Sequence, residues 1–226
     1  MSADLERKLE LSRQKLMQVL ENNDPDRVYV AWTGGKDSTL ALRLWAGVLK
    51  ARKEKAKVRA LNVDTGFKFP EVIEFRDKIA SRWDIGLCIA RPGFDLSGYP
   101  AAEDSLKCCT DLKVAPLNKA VNRLGIQCLI TGVRADEHPS RRDRPYFETA
   151  KLPCPRVNPI LHWTEIDVWT FIWKENLEYC PLYDRGYRSL GCMPCTAESG
   201  SGPGERSGRD ASKEGILDTL RSLGYF

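Results

Sequence analysis

A chain of 226 residues, 42% hydrophobic and 29% charged, has the composition of a folded globular protein, which excludes a disordered or fibrous one. Its net charge of +4, from 35 basic and 31 acidic side chains, lends no support to a nucleic-acid partner, though it leaves one open, and fits an anion held at a local basic site. No stretch offers the ~18 apolar residues of a membrane helix, and the charged start of the chain has no signal-peptide core, so a cytoplasmic location without membrane contact is expected.

Residues 3–22 predict a helix, because Leu5, Leu9, Leu16 and Leu20 recur at helical spacing with charges between them. Residues 22–25, ending in a proline, stop it. Strands are then expected over 27–33, 58–64, 86–90 and 126–131. Helices are expected over 36–51, 70–83, 111–124 and 164–174, with Pro70 suited to a first helical turn and Thr164 with Asp167 to a capping pair. Such alternation predicts a doubly wound α/β fold with a mostly parallel sheet, whose ligands bind at the carboxyl ends of the strands. The Gly/Ser/Pro-rich stretch 199–208 predicts a mobile loop, and 211–223 a last short helix. Three regions result: an N-terminal helix (1–24), a nucleotide-binding domain (25–198) and a flexible C-terminal tail with a short helix (199–226).

The first strand runs into Thr33-Gly34-Gly35-Lys36-Asp37-Ser38 at the start of a helix. Two glycines let the backbone approach an anion closely, the helix N-terminus presents free N–H groups, and Lys36 adds a charge. It is not a Walker A loop, which needs four residues between its first glycine and Gly-Lys. Asp64 and Arg134 end predicted strands beside this loop, where ligands bind. An ordinary strand–helix turn, a capping Asp64 and a surface Arg134 are the plainer alternatives.

The string TGGKDS resembles the SGGKDS loop of the PP-loop ATP pyrophosphatases, the adenine nucleotide alpha-hydrolase-like fold. Val63-Asp64-Thr65-Gly66-Phe67-Lys68-Phe69-Pro70, the strand end Thr131-Gly132-Val133-Arg134, and the run Tyr183-Asp184 through Gly191-Cys192-Met193-Pro194-Cys195-Thr196 resemble the adenylylsulfate and phosphoadenylylsulfate reductase branch. The resemblance spans about residues 28–210. It implies that Thr33, Gly34, Gly35, Lys36, Asp37 and Ser38, with Asp64, Gly66 and Arg134, bind an adenine nucleotide: ATP, adenylylsulfate or phosphoadenylylsulfate. A magnesium ion is implied if ATP is the substrate.

With eight cysteines in a chain read as cytoplasmic, metal or redox chemistry is expected rather than disulfides. Cys108 and Cys109 are adjacent, and Cys192 and Cys195 form a CxxC. Four thiolates suit zinc or an iron–sulfur cluster by softness, adjacent cysteines are awkward for tetrahedral zinc, and unliganded core thiols remain a third reading. The CC…CxxC pattern resembles that of the reductases that carry a 4Fe-4S cluster. The same resemblance places Lys113 between cluster and substrate. It also assigns Arg206 and Arg209, in an R-x-x-R, to the phosphosulfate end as catalytic groups alongside Lys113, although Asp210 stands where that family has an aromatic. Arg141, Arg142 and Arg144 form a further basic run, whose plain reading is a solvated loop; the resemblance implies instead a role at the anionic end, since both enzymes of this branch carry arginines after the TGxR strand. Cys88 and Cys128 are expected to be small core residues.

The resemblance breaks at the end. The reductases finish with a catalytic cysteine, whereas no cysteine follows Cys195, and Gly224-Tyr225-Phe226 resembles the end of the sulfate adenylyltransferase small subunit. Three readings follow. One is a sulfonucleotide-reductase-like enzyme that takes its thiol from thioredoxin, glutathione or a partner subunit. The second is an ATP pyrophosphatase that adenylates an oxyanion, in sulfate activation or DNA phosphorothioation. The third is a nucleotide- or redox-sensing module without catalysis. The oligomeric state, a homo-oligomer included, is left open.

Overall fold

The computed structural model describes residues 2–149, 153–199 and 204–225. Strands Val28–Ala31 (β1), Arg59–Val63 (β2), Gly86–Ala90 (β3) and Cys128–Ile130 (β4) fall within the four expected segments. Two more, Phe147–Glu148 (β5) and Arg156–Val157 (β6), are too short to carry a readable alternation. The sheet order is β3-β2-β1-β4-β6-β5, and every pairing is parallel except the edge pair of β5 with β6.

Eight α-helices accompany this sheet among the described residues: Ala3–Asn22 (α1), Lys36–Ala51 (α2), Pro70–Arg82 (α3), Ser105–Cys109 (α4), Ala115–Leu124 (α5), Glu165–Lys174 (α6), Ala211–Glu214 (α7) and Leu217–Ser222 (α8). The period of two along β1 divides them. Val28, Val30 and Trp32 pack with α1, α2, α3 and α6 in one core, while Tyr29 and Ala31 pack with Leu117, Ala120 and Val121 of α5 in another. The sheet is therefore covered on both faces, as the alternation predicts. In α1, Leu5, Leu9, Leu16 and Val19 are buried and Leu20 only half so. Ser12 completes the stripe and accepts a hydrogen bond from Trp163 Nε1 at 2.9 Å. Each fully buried leucine of such a stripe contributes ~1.5–3 kcal/mol. Thr164 and Asp167 form a capping box at the start of α6. No helix among the described residues is long and apolar enough to cross a membrane.

The helix expected over 111–124 begins earlier, at α4, where Asp104 accepts from Lys107 N at 2.9 Å. It then passes through a π-helical turn, Thr110–Val114, before α5. Pro116, in the first turn of α5, has no N–H to return to the preceding turn, and a widened turn just ahead of it accommodates the loss. The expected 211–223 helix is split by Gly215 into α7 and α8. Residues 200–203 of the expected mobile loop lie outside the described residues. The tail from residue 204 to 225 is held in place: Leu217 and Leu220 are buried, Ala197 N donates to Gly208 O at 2.8 Å, and Arg156 donates to the carbonyls of Gly224 and Tyr225.

Candidate active site

The loop 33–38 leaves the carboxyl end of β1 and turns at Gly34, whose φ of +84° lies in the left-handed region open to glycine. Gly35 caps α2, so the helix's first N–H groups are free of side-chain caps apart from Lys36 N, which donates to Tyr183 Oη at 2.8 Å. Ser38 Oγ closes the loop on itself, accepting from Thr33 N at 3.2 Å and donating to Gly35 O at 3.0 Å. The end of β4 presses against the same helix start. A Cβ on Gly132 would stand 2.6 Å from Ser38 N and 2.7 Å from Asp37 C, both backbone atoms. Gly132→Ala is therefore expected to cost ~1–3 kcal/mol as an overpacked contact and to displace the loop. Thermal unfolding and nucleotide titration check this: a variant with unchanged melting and affinity would show that the contact has slack.

Behind the loop lies a buried ion cluster. Lys36 (1% exposed) pairs through Nζ with Glu205 and with Asp37 at 3.4 Å, and donates to Arg188 O at 3.0 Å. Arg134 (0% exposed) pairs with Asp37 at 2.6 Å, with Asp136 and with Glu205. Burial works against both cations, but Asp37 first and then Glu205 hold them firmly charged. With every arm of its guanidinium engaged, Arg134 positions Asp37 and Glu205.

In front of the loop, a cavity of ≈ 100 Å³ is lined by Thr33, Gly35, Ser38 and Gly132 and by a basic wall of Arg141, Arg206, Arg209 and Lys213, with Tyr225 beside them. That is about three times the ~30 Å³ share of a water molecule, which suits an anionic head group. Arg206 is tied down: Nε and Nη2 make a bidentate pair with Glu214 at 2.6 and 2.7 Å, and Nη1 bonds Glu137 at 2.6 Å. Arg209 is not. Its buried Nε and Nη1 find no hydrogen-bond partner among the described residues. Its guanidinium lies against Gly191, where an added Cβ would meet Nη1 at 2.2 Å. Asp210 caps α7 and accepts from Lys213 N at 3.0 Å, which sets Lys213 on the wall. Positive charge is in local surplus. Burial, then Lys113 and Arg209, push Lys213 well below its ordinary value, and burial, then Arg206, lowers Arg209.

Next to this wall lie the paired cysteines. Cys108 and Cys109 end α4, and Lys113 in the π-helical turn approaches Cys109 Sγ with its Nζ at 3.7 Å. Cys192 opens the turn Met193–Cys195 and bridges Lys68, with Met193 N donating to Phe67 O at 2.8 Å. Thr65 Oγ1 lies 3.2 Å from Cys192 Sγ. Burial would raise the Cys192 thiol, but Lys113, then Lys68 and Lys213, and the Thr65 hydrogen bond bring it down to about 6. Cys108 and Cys195 are pushed up, chiefly by burial, and each also feels the charges of Cys109 and Cys192. The four thiols thus share one electrostatic neighbourhood. Among the described residues, no three His, Cys, Asp or Glu side chains are grouped so as to hold a metal ion.

Other candidates lie further out. Asp64 is buried in its turn, accepting from Gly66 N at 3.1 Å and pairing with Arg91 at 3.2 Å and Arg76 at 3.7 Å. Gly66 has a φ of +78° with Leu96 packed against it. Arg142 is exposed and Arg144 faces Glu148 at 3.9 Å. His162 contacts Lys8 O at 2.9 Å, away from the loop. Glu137, Glu205 and Lys213 are the site residues that sequence reasoning does not single out, and Tyr183, which opens the run 183–196, is given no role at the loop by it. Glu205 stands next to Arg206, and nothing in its spacing points to the loop.

Three comparisons bear on this geometry. Residues 27–198 match the family model described as the phosphoadenosine phosphosulfate reductase domain. The adenosine 5'-phosphosulfate reductase of Rhodococcus erythropolis is 32% identical over 209 residues, covering 88% of this chain and 83% of the relative. Adenosine 5'-phosphosulfate reductase 1 of Bacillus subtilis is 34% identical over 167 residues, covering 70% of each. Among solved structures, the phosphoadenylyl-sulfate reductase of Candida auris superposes with a TM-score of 0.66 at 20% identity, covering 87% of this chain and 98% of that one. The FMN adenylyltransferase of Candida glabrata superposes with a TM-score of 0.72 at 17% identity, covering 88% of this chain. This chain spans 65% of that protein. Likeness at these identities speaks for the fold.

Proposed function

Because the chain belongs to the phosphoadenosine phosphosulfate reductase domain family, we propose that it reduces an adenylyl sulfonucleotide to sulfite with a thiol supplied from elsewhere. It is an enzyme of the sulfonucleotide-reductase type. The observation that carries the finer reading is Arg209: a buried guanidinium with two unsatisfied donors, facing a cavity that the loop 33–38 closes on the other side. Unsatisfied cationic donors in a surplus of positive charge call for a multivalent anion with oxygens on several sides.

In this reading the loop's N–H groups, with Ser38 and Thr33, hold the phosphate or sulfate end. Arg209 and Lys213 meet the oxygens that gain charge as the sulfur–oxygen bond to the nucleotide breaks. A donor thiolate forms a bond to sulfur while the nucleotide phosphate leaves with the electron pair. A second thiol then releases sulfite and leaves a disulfide, so two thiols are oxidised for each sulfur reduced. Thioredoxin or glutathione would serve as the thiol donor.

Cys108, Cys109, Cys192 and Cys195 would hold a 4Fe-4S cluster. The fit rests on the donor set: four soft thiols in one neighbourhood, one with its pKa near 6, beside Lys113, whose positive charge suits an anionic cluster. When bound, such a cluster supplies a fixed charge distribution beside the sulfate. Lys113, held charged against burial by Tyr225 and by the Cys192 and Cys109 thiolates, orients that field.

The test is direct. Anaerobically purified protein is given ATP, adenylylsulfate or phosphoadenylylsulfate, each with and without thioredoxin or glutathione, and sulfite, AMP and pyrophosphate are assayed. Sulfite that depends on thiol and sulfonucleotide is the expected result. Pyrophosphate from ATP with no sulfite from either sulfonucleotide would replace this reading with adenylation of an oxyanion. Lys36→Ala, which strips the loop of its only cation, is expected to weaken adenylylsulfate binding by about tenfold or more, the value of one charge-assisted contact at ~1.5–3 kcal/mol. Equal affinity in calorimetry would take the loop out of the site.

A further inference from the structure

We propose that Glu205 is an internal anion, seated on Lys36 and Arg134, which the anionic end of the substrate must displace or neutralise on entering. The inference rests on the reading that this end binds at the loop 33–38.

Glu205 Oε1 pairs with Lys36 Nζ, and its other oxygen, Oε2, pairs with Arg134 Nη2. One carboxylate therefore takes up the loop's only cationic side chain together with the arginine that ends the TGxR string. It arrives from 169 residues away in sequence, on the segment that also carries Arg206 and Arg209. It is 8% exposed, so the contact is a seated one, unlike a solvated surface pair. The remaining donor capacity of Lys36 is taken by Arg188 O, and Asp37 stands 3.4 Å off.

Glu205 thus supplies negative charge to both of the buried cations at the loop. Lys36 belongs to the loop, so a second anion drawn to its ammonium competes with the Glu205 carboxylate already paired there, and like charges that share a buried cation repel. Entry is then an exchange: either the carboxylate leaves its seat, freeing Lys36 for the ligand, or it takes up a proton and stays. Both routes are open, because burial first, and then Asp37 and Glu137, outweigh Lys36 and Arg134 and raise the carboxyl to about 7. The charged and titratable groups facing it are Lys36 and Asp37 from α2, Arg134 and Glu137 after β4, and Tyr183 and Arg188 after α6. Glu205 itself is poised to titrate near neutrality. His138 lies by Glu214 and Arg206 instead, and burial lowers it.

Inorganic sulfate is the probe, since it stays a dianion across the range while phosphate does not. Calorimetry on the full chain compares the wild type with Glu205→Gln from about pH 5.5 to about 8.5. At the alkaline end Glu205→Gln is expected to bind sulfate about tenfold tighter or more. The difference should close toward the acid end, where the wild-type carboxyl is itself neutral. A contribution from His138 enters both proteins alike and cancels in the ratio. Glu205→Gln binding sulfate no tighter than the wild type at any pH would reduce Glu205 to a structural counter-ion. Should that variant fail to fold, His138→Asn in an otherwise wild-type chain decides: its sulfate affinity must still rise as pH falls through about 7, and a flat profile overturns the proposal. Lys36→Ala separates the two readings. If it weakens adenylylsulfate binding while Glu205→Gln leaves sulfate binding unchanged, the loop reading stands and only the role of Glu205 fails.

Discussion

Arg209→Ala is expected to lower kcat/KM for the sulfonucleotide by about 10²–10³-fold while changing stability little. Two donors, Nε and Nη1, are buried without partners, and each charge-assisted bond to an oxyanion is worth ~1.5–3 kcal/mol. Losing both at the transition state raises the barrier by roughly 3–6 kcal/mol, and the lower part of that span, about 3–4 kcal/mol, corresponds to the stated range in rate. The fold should be spared, because burial and Arg206 already disfavour this cation in the free protein. Arg209→Lys should recover little, since an ammonium cannot present a planar fork. A companion variant separates charge from placement. In Gly191→Ala the new Cβ meets the guanidinium at 2.2–2.5 Å, so Arg209 stays in the protein but is moved off its seat, and activity should fall with it. The comparison is steady-state sulfite release against thermal unfolding. Arg209→Ala with near wild-type kcat/KM would mean that the anion is held elsewhere.

Cys192→Ser carries the second large effect: loss of iron, loss of the brown colour and loss of sulfite release together. The Cys192 thiol is brought down to about 6, by Lys113, Lys68 and Lys213 against burial. At pH 7 it is mostly thiolate, the form that ligates metal. A serine hydroxyl in its place stays protonated and leaves those lysines facing a neutral group, so the variant loses both the ligand and the charge that fits the pocket. Iron analysis and visible absorbance of anaerobically purified protein, with circular dichroism as the check on folding, give the answer. A folded, colourless Cys192→Ser protein with full activity would remove the cluster from the chemistry. A colourless wild type with stoichiometric zinc would change its identity.

What could be read from the sequence was whatever rests on local periodicity and on contiguous strings. The apolar spacing of α1, the four parallel strands and the capping box at Thr164 follow from neighbours within a turn or two, and they appear where expected. The loop 33–38 could be read because its physics is local: a glycine at φ +84°, a helix start and a lysine in six consecutive residues. The strands β5 and β6 could not, since two residues carry no period. The π-helical turn depends on how Pro116 is accommodated, which composition does not reveal.

The site was legible in part, and the division has a physical cause. Arg134 and Arg206 could be singled out as basic residues near the loop, yet a guanidinium's role depends on which of its arms are already satisfied. Arg134 spends all of its arms on Asp37, Asp136 and Glu205, and Arg206 on Glu137 and Glu214. Arg209 alone of the three keeps buried donors open. Hydrogen-bond satisfaction is a property of three-dimensional neighbours, and the neighbours here come from opposite ends of the chain. Glu205 reaches Lys36 across 169 residues, and Gly132 backs onto Ser38 from a different strand. The sequence by itself determined the doubly wound sheet, the glycine–lysine loop 33–38 and the two cysteine pairs, because each is written in residues that touch their own neighbours. Only the tertiary structure decided which charges oppose which, because burial and distance set the free energy of a charge and neither is a property of sequence order.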